Sequence, residues 1–211
     1  MAEINFNTYG YDYEHGIMIL SDSLLVATEA LAAKHKATDE ERAKYEADVA
    51  AGLIEEKAEY DDENGVMIWN QSKIYEHDLE LIDEGVQALR KAHVIALYHL
   101  WERIICQWTD APANYKHKDL VELAKAKGIE PNDRFTDVYN LNNVLKHNSN
   151  RSGPKLLKEW SEMFCDAENL RARLEAGGKP ILWSSSIFIT GELMNEVFSA
   201  MRRSGPIALK S

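Results

Sequence analysis

Residues 66–108 place the strongest constraint on the fold, because they contain no proline and a single glycine, Gly85. Apolar residues recur through this stretch at spacings of three and four, which is the period of a helix with one buried face. The repeating positions are Ile68, Ile74, Leu81, Ile82, Val86, Leu89, Leu97, Leu100, Trp101, Ile104, Ile105 and Trp108. The pattern predicts one long helix, or two helices that separate near Gly85.

The same period continues along the rest of the chain. It predicts helices over 17–36, 38–60, 118–127, 134–147, 152 towards 177, and 191–203. A capping box at Thr38-Asp-Glu-Glu41 begins the second helix, Asp133 caps the fourth, and Ser152-Gly-Pro154 begins the fifth. The pattern assigns no secondary structure to residues 180–186. None of the five prolines lies in the interior of these helices, since Pro154 falls in a first turn. Because each helix has to bury its apolar face, we predict an all-α antiparallel helical bundle that forms a single domain over 1–211.

The two cysteines and the apolar runs bear on the compartment. Cys106 and Cys165 are too few for a disulfide framework or a four-cysteine zinc site, and both follow helical apolar patterns, so we expect reduced core thiols. The N-terminal residues lack the basic and apolar regions of a secretory signal. No unbroken apolar run approaches the roughly 20 residues of a membrane span. We therefore expect a cytoplasmic protein that does not bind a membrane.

Charge is distributed unevenly along the chain, whose formal net charge is -11. Residues 1–111 carry most of the acidic side chains, whereas residues 112–211 have a small basic excess. A chain this acidic does not bind nucleic acid through its bulk charge, because phosphate affinity comes from Lys and Arg. The acidic helical segment 38–63 is either a solvated helix face or a surface that docks a basic partner at residues 39–63.

The most polar segment of the second half runs from Tyr139 to Arg151 and combines five asparagines with Lys146 and His147. On a helix, Asn143 and His147 share one face, and Asn142 and Lys146 share the adjacent one. Histidine exchanges a proton near neutral pH, and neighbouring cations and amides can hold a phosphate, so the segment fits phosphodiester chemistry. The alternative is a polar C-terminal cap in which Lys146 and His147 complement the helix dipole.

A second polar pair lies on the long predicted helix, where His99 and Glu102 are three residues apart. They could bind a metal with help from His93 or from Glu76-His77-Asp78, but two ligands on one helix are weak evidence, and we predict no metal or cofactor. We expect Glu102 to be a partly buried carboxylate with a partner. The five tryptophans, at positions 69, 101, 108, 160 and 183, are expected in the core.

Three segments together resemble the HEPN domain family. Arg90–Cys106 resembles the long helix of that family, Lys118–Ile129 its short connecting helix, and Leu141–Asn148 its signature helix, so that a HEPN-like core is expected over residues 66–175. Asn143 matches the Asn of the family motif and His147 matches its His. Asn142 stands where the family has Arg, and an amide does not supply the charged fork that arginine offers to phosphate.

The resemblance implies a cytoplasmic homodimer and one of two functions. Active HEPN proteins are metal-independent RNA endonucleases of toxin–antitoxin and anti-phage defence systems, whereas others are non-catalytic interaction modules. The enzyme hypothesis makes His147 the acid/base at the dimer interface, with Asn143, Lys146 and Glu102 as further catalytic residues and Asn142, Asn148 and Arg151 binding the RNA. The alternative is a dimeric scaffold that docks a basic protein through the acidic segment.

Overall fold

The computed structural model describes residues 6–61, 63–65, 67–112, 114–177 and 180–209. Over these residues it is an all-α protein, 71% helical, with one two-stranded sheet, as the periodicity predicted. The elements are α1 (Thr8–Ala50), β1 (Ala58–Tyr60), β2 (Met67–Asn70), α2 (Gln71–Thr109), α3 (His117–Ala126), α4 (Phe135–His147), α5 (Gly153–Glu159), a 3-10 turn (Ser161–Met163), α6 (Ala167–Glu175), α7 (Trp183–Ser186) and α8 (Gly191–Arg203).

The first two predicted helices are one continuous helix, α1, so the capping box at Thr38 does not begin a new element. No proline or glycine lies between Ile17 and Ala50, and the chain has no local reason to leave the helix there. The helix ends at Gly52, which has φ +70. The amide of Gly52 donates to the carbonyl of Val49, and that of Leu53 donates to Asp48, which is the Schellman pattern of helix termination.

The chain divides into two compact units where a single domain was predicted. The first unit combines Met1–Leu24 with Arg90–Ser211, and the second is Leu25–Leu89. Because α1 and α2 each contribute to both units, the second unit is inserted in the sequence of the first. The predicted acidic segment 38–63 belongs to the second unit.

The second unit consists of the later part of α1, the β1–β2 hairpin and the early part of α2. The two strands pair antiparallel with Glu59 opposite Trp69, and a bulge separates Glu59 from Tyr60. The indole of Trp69 donates to the Glu59 carboxylate at 2.7 Å. The predicted helix over 38–60 is therefore wrong after Ala50, because its last residues form a strand. Gly85 lies inside α2 without breaking it.

The core of the first unit forms where α1, α2, α4 and α8 bury their apolar stripes. Tyr13, Trp101, Leu141 and Val197 are fully or almost fully buried. Ser204, just after α8, connects several of these elements. Its carbonyl accepts the Trp101 indole N–H at 2.6 Å, and its hydroxyl accepts the backbone N–H of Asn132 and donates to the carbonyl of Ala200.

Three glycines allow segments of this unit to approach closely. A Cβ on Gly205 would lie 1.9 Å from the Tyr13 ring, one on Gly10 would lie 2.2 Å from the backbone of Ile207, and one on Gly153 would lie 2.3 Å from the Trp183 ring. The Tyr13 hydroxyl donates to the carbonyl of Met201. The segment after α8 is thus pressed against α1 with no space for a methyl group.

The helices of the second half follow the prediction except in one region. The limits of α3, α4 and α8 agree with it to within a residue, and Gly128 follows α3 with φ +85. The cap of α4 differs, because Asn132 rather than Asp133 accepts the amide of Arg134. The helix expected from 152 towards 177 is divided into α5, the 3-10 turn and α6, since Asp166 accepts the amide of Asn169 and begins α6.

Two burial predictions need correction. Cys106 and Cys165 are both free thiols, but Cys165 is exposed and Cys106 is only half-buried, so the expectation of two core thiols is wrong. Of the five tryptophans, Trp101, Trp160 and Trp183 are buried as expected, whereas Trp108 is half-buried and Trp69 is 37% exposed on the hairpin.

Helix α1 also bears on the prediction that no segment is long and apolar enough to span a membrane. That prediction rested on the length of unbroken apolar runs. The helix contains an 18-residue window with mean hydropathy 1.5, which is long and apolar enough to cross a membrane, although only 11% of the window is buried inside the protein. A mean hydropathy over 18 residues can be high although a few charged residues interrupt the apolar run. A single helix of this kind is weak evidence for a membrane span, because core helices of soluble proteins pass the same test.

Candidate active site

The last turns of α4 place the predicted site residues on two different sides of the helix. Asn142 is buried, at 2% exposure, whereas His147 is exposed and Asn143 is half-buried. No hydrogen bond joins Asn143 to His147 in the described structure, so the proposed orienting role of Asn143 has no contact behind it. A ligand therefore does not reach Asn142 directly in this structure.

Lys146 instead joins α4 to α2 through a chain of three side chains. Its Nζ lies 3.0 Å from Nε2 of His99, and Nδ1 of His99 lies 3.1 Å from the carboxylate of Glu102. Since an ammonium group only donates hydrogen bonds, Nε2 has to accept. Nδ1 is then the ring nitrogen that donates to the Glu102 carboxylate. The lone pair of Nε2 is occupied by the Lys146 ammonium in this structure.

The exposures of the three side chains suit a reaction at the surface. The His99 side chain is 45% exposed, Glu102 is 22% exposed, and Lys146 is exposed. Glu102 thus anchors the imidazole from a sheltered position while the ring itself remains accessible. The expectation that Glu102 is a partly buried carboxylate with a partner is confirmed.

His99 and Glu102 line a groove between α1 and α2 with a volume of about 540 Å³. The groove is bordered by Gly16, Ile19, Leu20, Ala96, His99, Leu100, Glu102, Arg103 and Tyr115. Volumes of this size accommodate small molecules or part of a polymer. Arg103 lies one helical turn after His99 on α2 and adds a permanent positive charge to the groove. The groove therefore combines a base, a carboxylate and a cation.

Tyr115 closes the carboxylate end of this groove. Burial raises the pKa of its phenol, and its hydrogen bonds with Cys106 and Glu102 raise that pKa further. The phenol stays protonated at neutral pH and can donate to the Glu102 carboxylate. The pKa of the Cys106 thiol is also raised, chiefly by burial. Cys106 is therefore not a thiolate nucleophile in this site.

An aromatic cluster supports the site from behind. The Tyr98 hydroxyl lies 2.7 Å from Nδ1 of His117, and the His117 ring stacks on Tyr139 with 3.7 Å between centroids. Trp101 and Phe135 complete the cluster, with ring centroids 4.5 Å apart. Burial lowers the pKa of His117 to about 4, so this imidazole is neutral at physiological pH. The cluster packs the first turns of α4 against the turn of α2 that carries Tyr98 and His99.

The pKa of His117 predicts how stability depends on pH. The ring is neutral in the folded protein down to about pH 4, whereas it takes up a proton near its ordinary pKa of 6.5 when unfolded. The unfolded state therefore binds more protons between these values. We expect this residue's contribution to stability to be complete above pH 6.5 and to fall by at most about 1.4 kcal/mol per pH unit down to pH 4. Urea unfolding at pH 7 and pH 5 measures it, and His117→Gln should show a smaller pH dependence than the parent.

Asn148 serves the fold where the sequence suggested RNA binding. It ends α4 in the left-handed conformation, with φ 48 and ψ 44. Its amide donates to the carbonyl of Ile181 at 3.2 Å, and its side-chain oxygen accepts the backbone N–H of Ser184 at 3.1 Å. The side chain thus ties the end of α4 to the start of α7. Arg151, the other predicted RNA ligand, is exposed beyond this turn.

Asn148 contributes side-chain hydrogen bonds and a left-handed backbone conformation, and two substitutions distinguish these contributions to stability. Asn148→Ala loses both hydrogen bonds, and alanine tolerates the left-handed region less well than asparagine, so we expect a loss of about 2–3 kcal/mol in unfolding free energy. Asn148→Gly loses the same bonds but adopts the backbone conformation freely, so its loss should be smaller by about 1 kcal/mol. Chemical denaturation of both variants measures the difference. Equal losses in the two variants would contradict the backbone part of this assignment.

His99 is the residue whose importance sequence reasoning underestimated. The sequence shows that His99 and Glu102 are three residues apart. This spacing suggested metal ligands or a partly buried carboxylate, and it did not suggest that His99 is a general base. The contact with Lys146 spans two helices, so no local pattern reports it. The described residues contain no group of three or more His, Cys, Asp or Glu side chains positioned to hold a metal ion.

Comparison with known proteins finds no matching family model and no curated protein or solved structure with significant similarity. The residues of the groove themselves therefore carry the functional argument.

Proposed function

We propose that this protein is a HEPN-like, metal-independent RNA endonuclease that acts through His99. The Lys146–His99–Glu102 chain is the observation that carries this proposal. It holds the His99 imidazole between a cation and a carboxylate, and His99 and Glu102 line an open groove. This assignment moves the acid/base role from His147, as expected from the sequence, to His99, and it keeps Lys146 and Glu102 in the site.

The groove supplies the groups that cleavage of RNA by its own 2′-hydroxyl requires. When the Lys146 ammonium turns from His99 to the leaving 5′-oxygen, the freed lone pair of Nε2 removes the 2′-hydroxyl proton, the 2′-oxygen forms a bond to phosphorus, and the bond from phosphorus to the 5′-oxygen breaks. Lys146 gives a proton to the leaving 5′-oxygen, and Arg103 stabilises the negative charge on the phosphate. The proton on His99 then passes to the Lys146 amine across their 3.0 Å contact, which restores both groups.

Glu102 acts as a positioning residue in this scheme. Its carboxylate holds the Nδ1 proton and so selects the tautomer whose Nε2 is basic, and its charge stabilises the imidazolium after proton transfer. The exposed His147 remains available to a second copy of the chain. In the proposed homodimer it would face the substrate from α4 of the partner.

The proposal is tested by incubating the purified protein with a labelled single-stranded RNA in EDTA. We expect fragments that end in a 2′,3′-cyclic phosphate and a 5′-hydroxyl. The matched control is the same oligonucleotide with one 2′-deoxynucleotide at the main cleavage position, which should resist cleavage there. Cleavage of that control at the same bond, or intact RNA under all conditions, would contradict the mechanism.

The second unit favours a further candidate function, that of an interaction module for a basic partner. The hairpin and the turn before it expose apolar side chains, namely Leu53, Ile54, Tyr60, Met67, Ile68 and Trp69. The exposed carboxylates of Glu55, Glu56 and Glu59 lie among them in the sequence. An apolar patch with an acidic border suits an amphipathic segment with basic residues around an apolar face.

Charge reversal tests this candidate. The variant with Glu40, Glu41, Glu55 and Glu56 all changed to Lys should lose salt-sensitive binding of a basic amphipathic peptide. It should retain any RNA cleavage, because none of these residues belongs to the His99 groove. Unchanged peptide affinity in this variant would exclude the acidic segment as the docking surface.

A further inference from the structure

A second pocket lies between α1 and α8, outside the His99 groove. Its volume is about 460 Å³, and its lining residues are Ser21, Asn195, Phe198, Ser199, Arg202 and Arg203. Ser21 comes from α1, and the other five come from the last three turns of α8. Neither the sequence patterns nor the proposed cleavage reaction uses any of these residues.

Every polar side chain of this pocket can donate a hydrogen bond. Arg202 and Arg203 provide two exposed guanidinium groups, the serines provide hydroxyls, and Asn195 provides an amide. Within the described parts of the chain, neither arginine forms an ion pair, and no carboxylate lines the pocket. Phe198, at 8% exposure, forms an apolar wall. The pocket therefore presents uncompensated positive charge together with neutral donors.

The helix dipole accounts for only part of this arrangement. Basic side chains in the last turn of a helix are favourable because they face its partial negative charge, which explains Arg202 and Arg203 individually. It does not explain why the hydroxyl of Ser21 borders the same cavity from another helix. Donors that converge from two helices on one cavity are typical of a site for an anion.

We propose that this pocket binds a backbone phosphate of single-stranded RNA and serves as a subsite of the proposed nuclease, so this inference rests on the proposed function. The two guanidinium groups hold the phosphate oxygens through paired, charge-assisted hydrogen bonds. Ser21, Ser199 and Asn195 donate to the remaining oxygens. A local basic site of this kind would allow a chain with net charge -11 to bind RNA.

Fluorescence anisotropy with a 2′-O-methyl RNA oligonucleotide tests the proposal, because this probe lacks the attacking hydroxyl and stays intact. We expect R202Q/R203Q to bind it about 10-fold more weakly than the parent. The slope of log affinity against log salt should fall by about 0.7, since one phosphate contact is lost. The matched control R171Q/R173Q removes the same charge from α6 and should bind nearly as well as the parent.

A second variant distinguishes a shaped site from bulk charge. R202K/R203K keeps both charges but loses the planar fork, and we expect it to recover only part of the affinity. Binding equal to the parent in R202K/R203K, or equal losses in R202Q/R203Q and R171Q/R173Q, would overturn the pocket. Arginine-dependent binding without RNA cleavage by the parent would support the pocket and remove the nuclease. Cleavage by the parent with unchanged binding in R202Q/R203Q would do the reverse.

Discussion

Replacement of His99 by alanine is expected to lower the rate of RNA cleavage by about 10²- to 10⁴-fold, the range that a general base contributes. In the proposed reaction the imidazole is the group of the Lys146–His99–Glu102 chain that removes the 2′-hydroxyl proton. Its removal leaves Lys146 without the partner that returns its proton. Because the His99 side chain is 45% exposed, the fold should remain intact. Single-turnover cleavage and thermal unfolding of the same preparation measure the two quantities.

Two companion variants make this prediction specific. Glu102→Gln keeps a hydrogen-bonding side chain but removes the negative charge, so we expect a smaller loss and a shift of the acidic limb of the pH–rate profile. A purely structural role for Glu102 would leave that limb unchanged. His147→Ala tests the assignment made from the sequence. If His147→Ala abolishes cleavage while His99→Ala does not, the catalytic base belongs at the end of α4 and our assignment to α2 is wrong.

Gly205→Ala should have the largest effect on stability, a loss of about 3 kcal/mol in unfolding free energy. The added methyl group would lie 1.9 Å from the Tyr13 ring, which is fully buried and cannot turn away without losing its hydrogen bond to Met201. Overpacking of this kind forces rigid neighbours to shift. Urea unfolding with a fixed denaturant slope measures the loss.

Gly191→Ala is the matched control for this substitution. A Cβ at Gly191 would meet only the guanidinium of Arg90, at an ordinary contact distance of 3.8 Å. It lies at the start of α8, where alanine is compatible with the helix, so we expect no loss or a small gain in stability. Equal losses in the two variants would mean that the close approach of Tyr13 and Gly205 is not what constrains this position.

The helices were predictable because their signals are local. The limits of α3 and α8 follow from Gly128 and Gly191, which break the pattern within the sequence itself. The length of α1 was not predicted because the capping box at Thr38 is a permissive signal, and a helix continues through it when nothing interrupts the backbone. The division near Trp160 was missed because apolar periodicity continues across α5 and α6 although the backbone does not.

The candidate site was predictable only in part, for a related reason. The sequence singled out Glu102 and Lys146 separately, one on each of two helices that are distant in the chain. It could not report that His99 lies between them, because that contact depends on how α4 packs on α2. Helical spacing also could not show which stripe of α4 faces inwards, so Asn142 was taken for a ligand although the packing of α4 on the core buries it.

The two ends of the described chain meet in the first unit. Phe6 pairs with Leu209 in an isolated antiparallel bridge, and the amide of Asn7 donates to the carbonyl of Ala208 at 2.8 Å. Donor and acceptor fluorophores attached at these two positions would therefore show high energy transfer in the native state. Local melting of the inserted hairpin leaves both attachment points in place, so a drop in transfer efficiency would report specifically on the opening of the unit that holds His99.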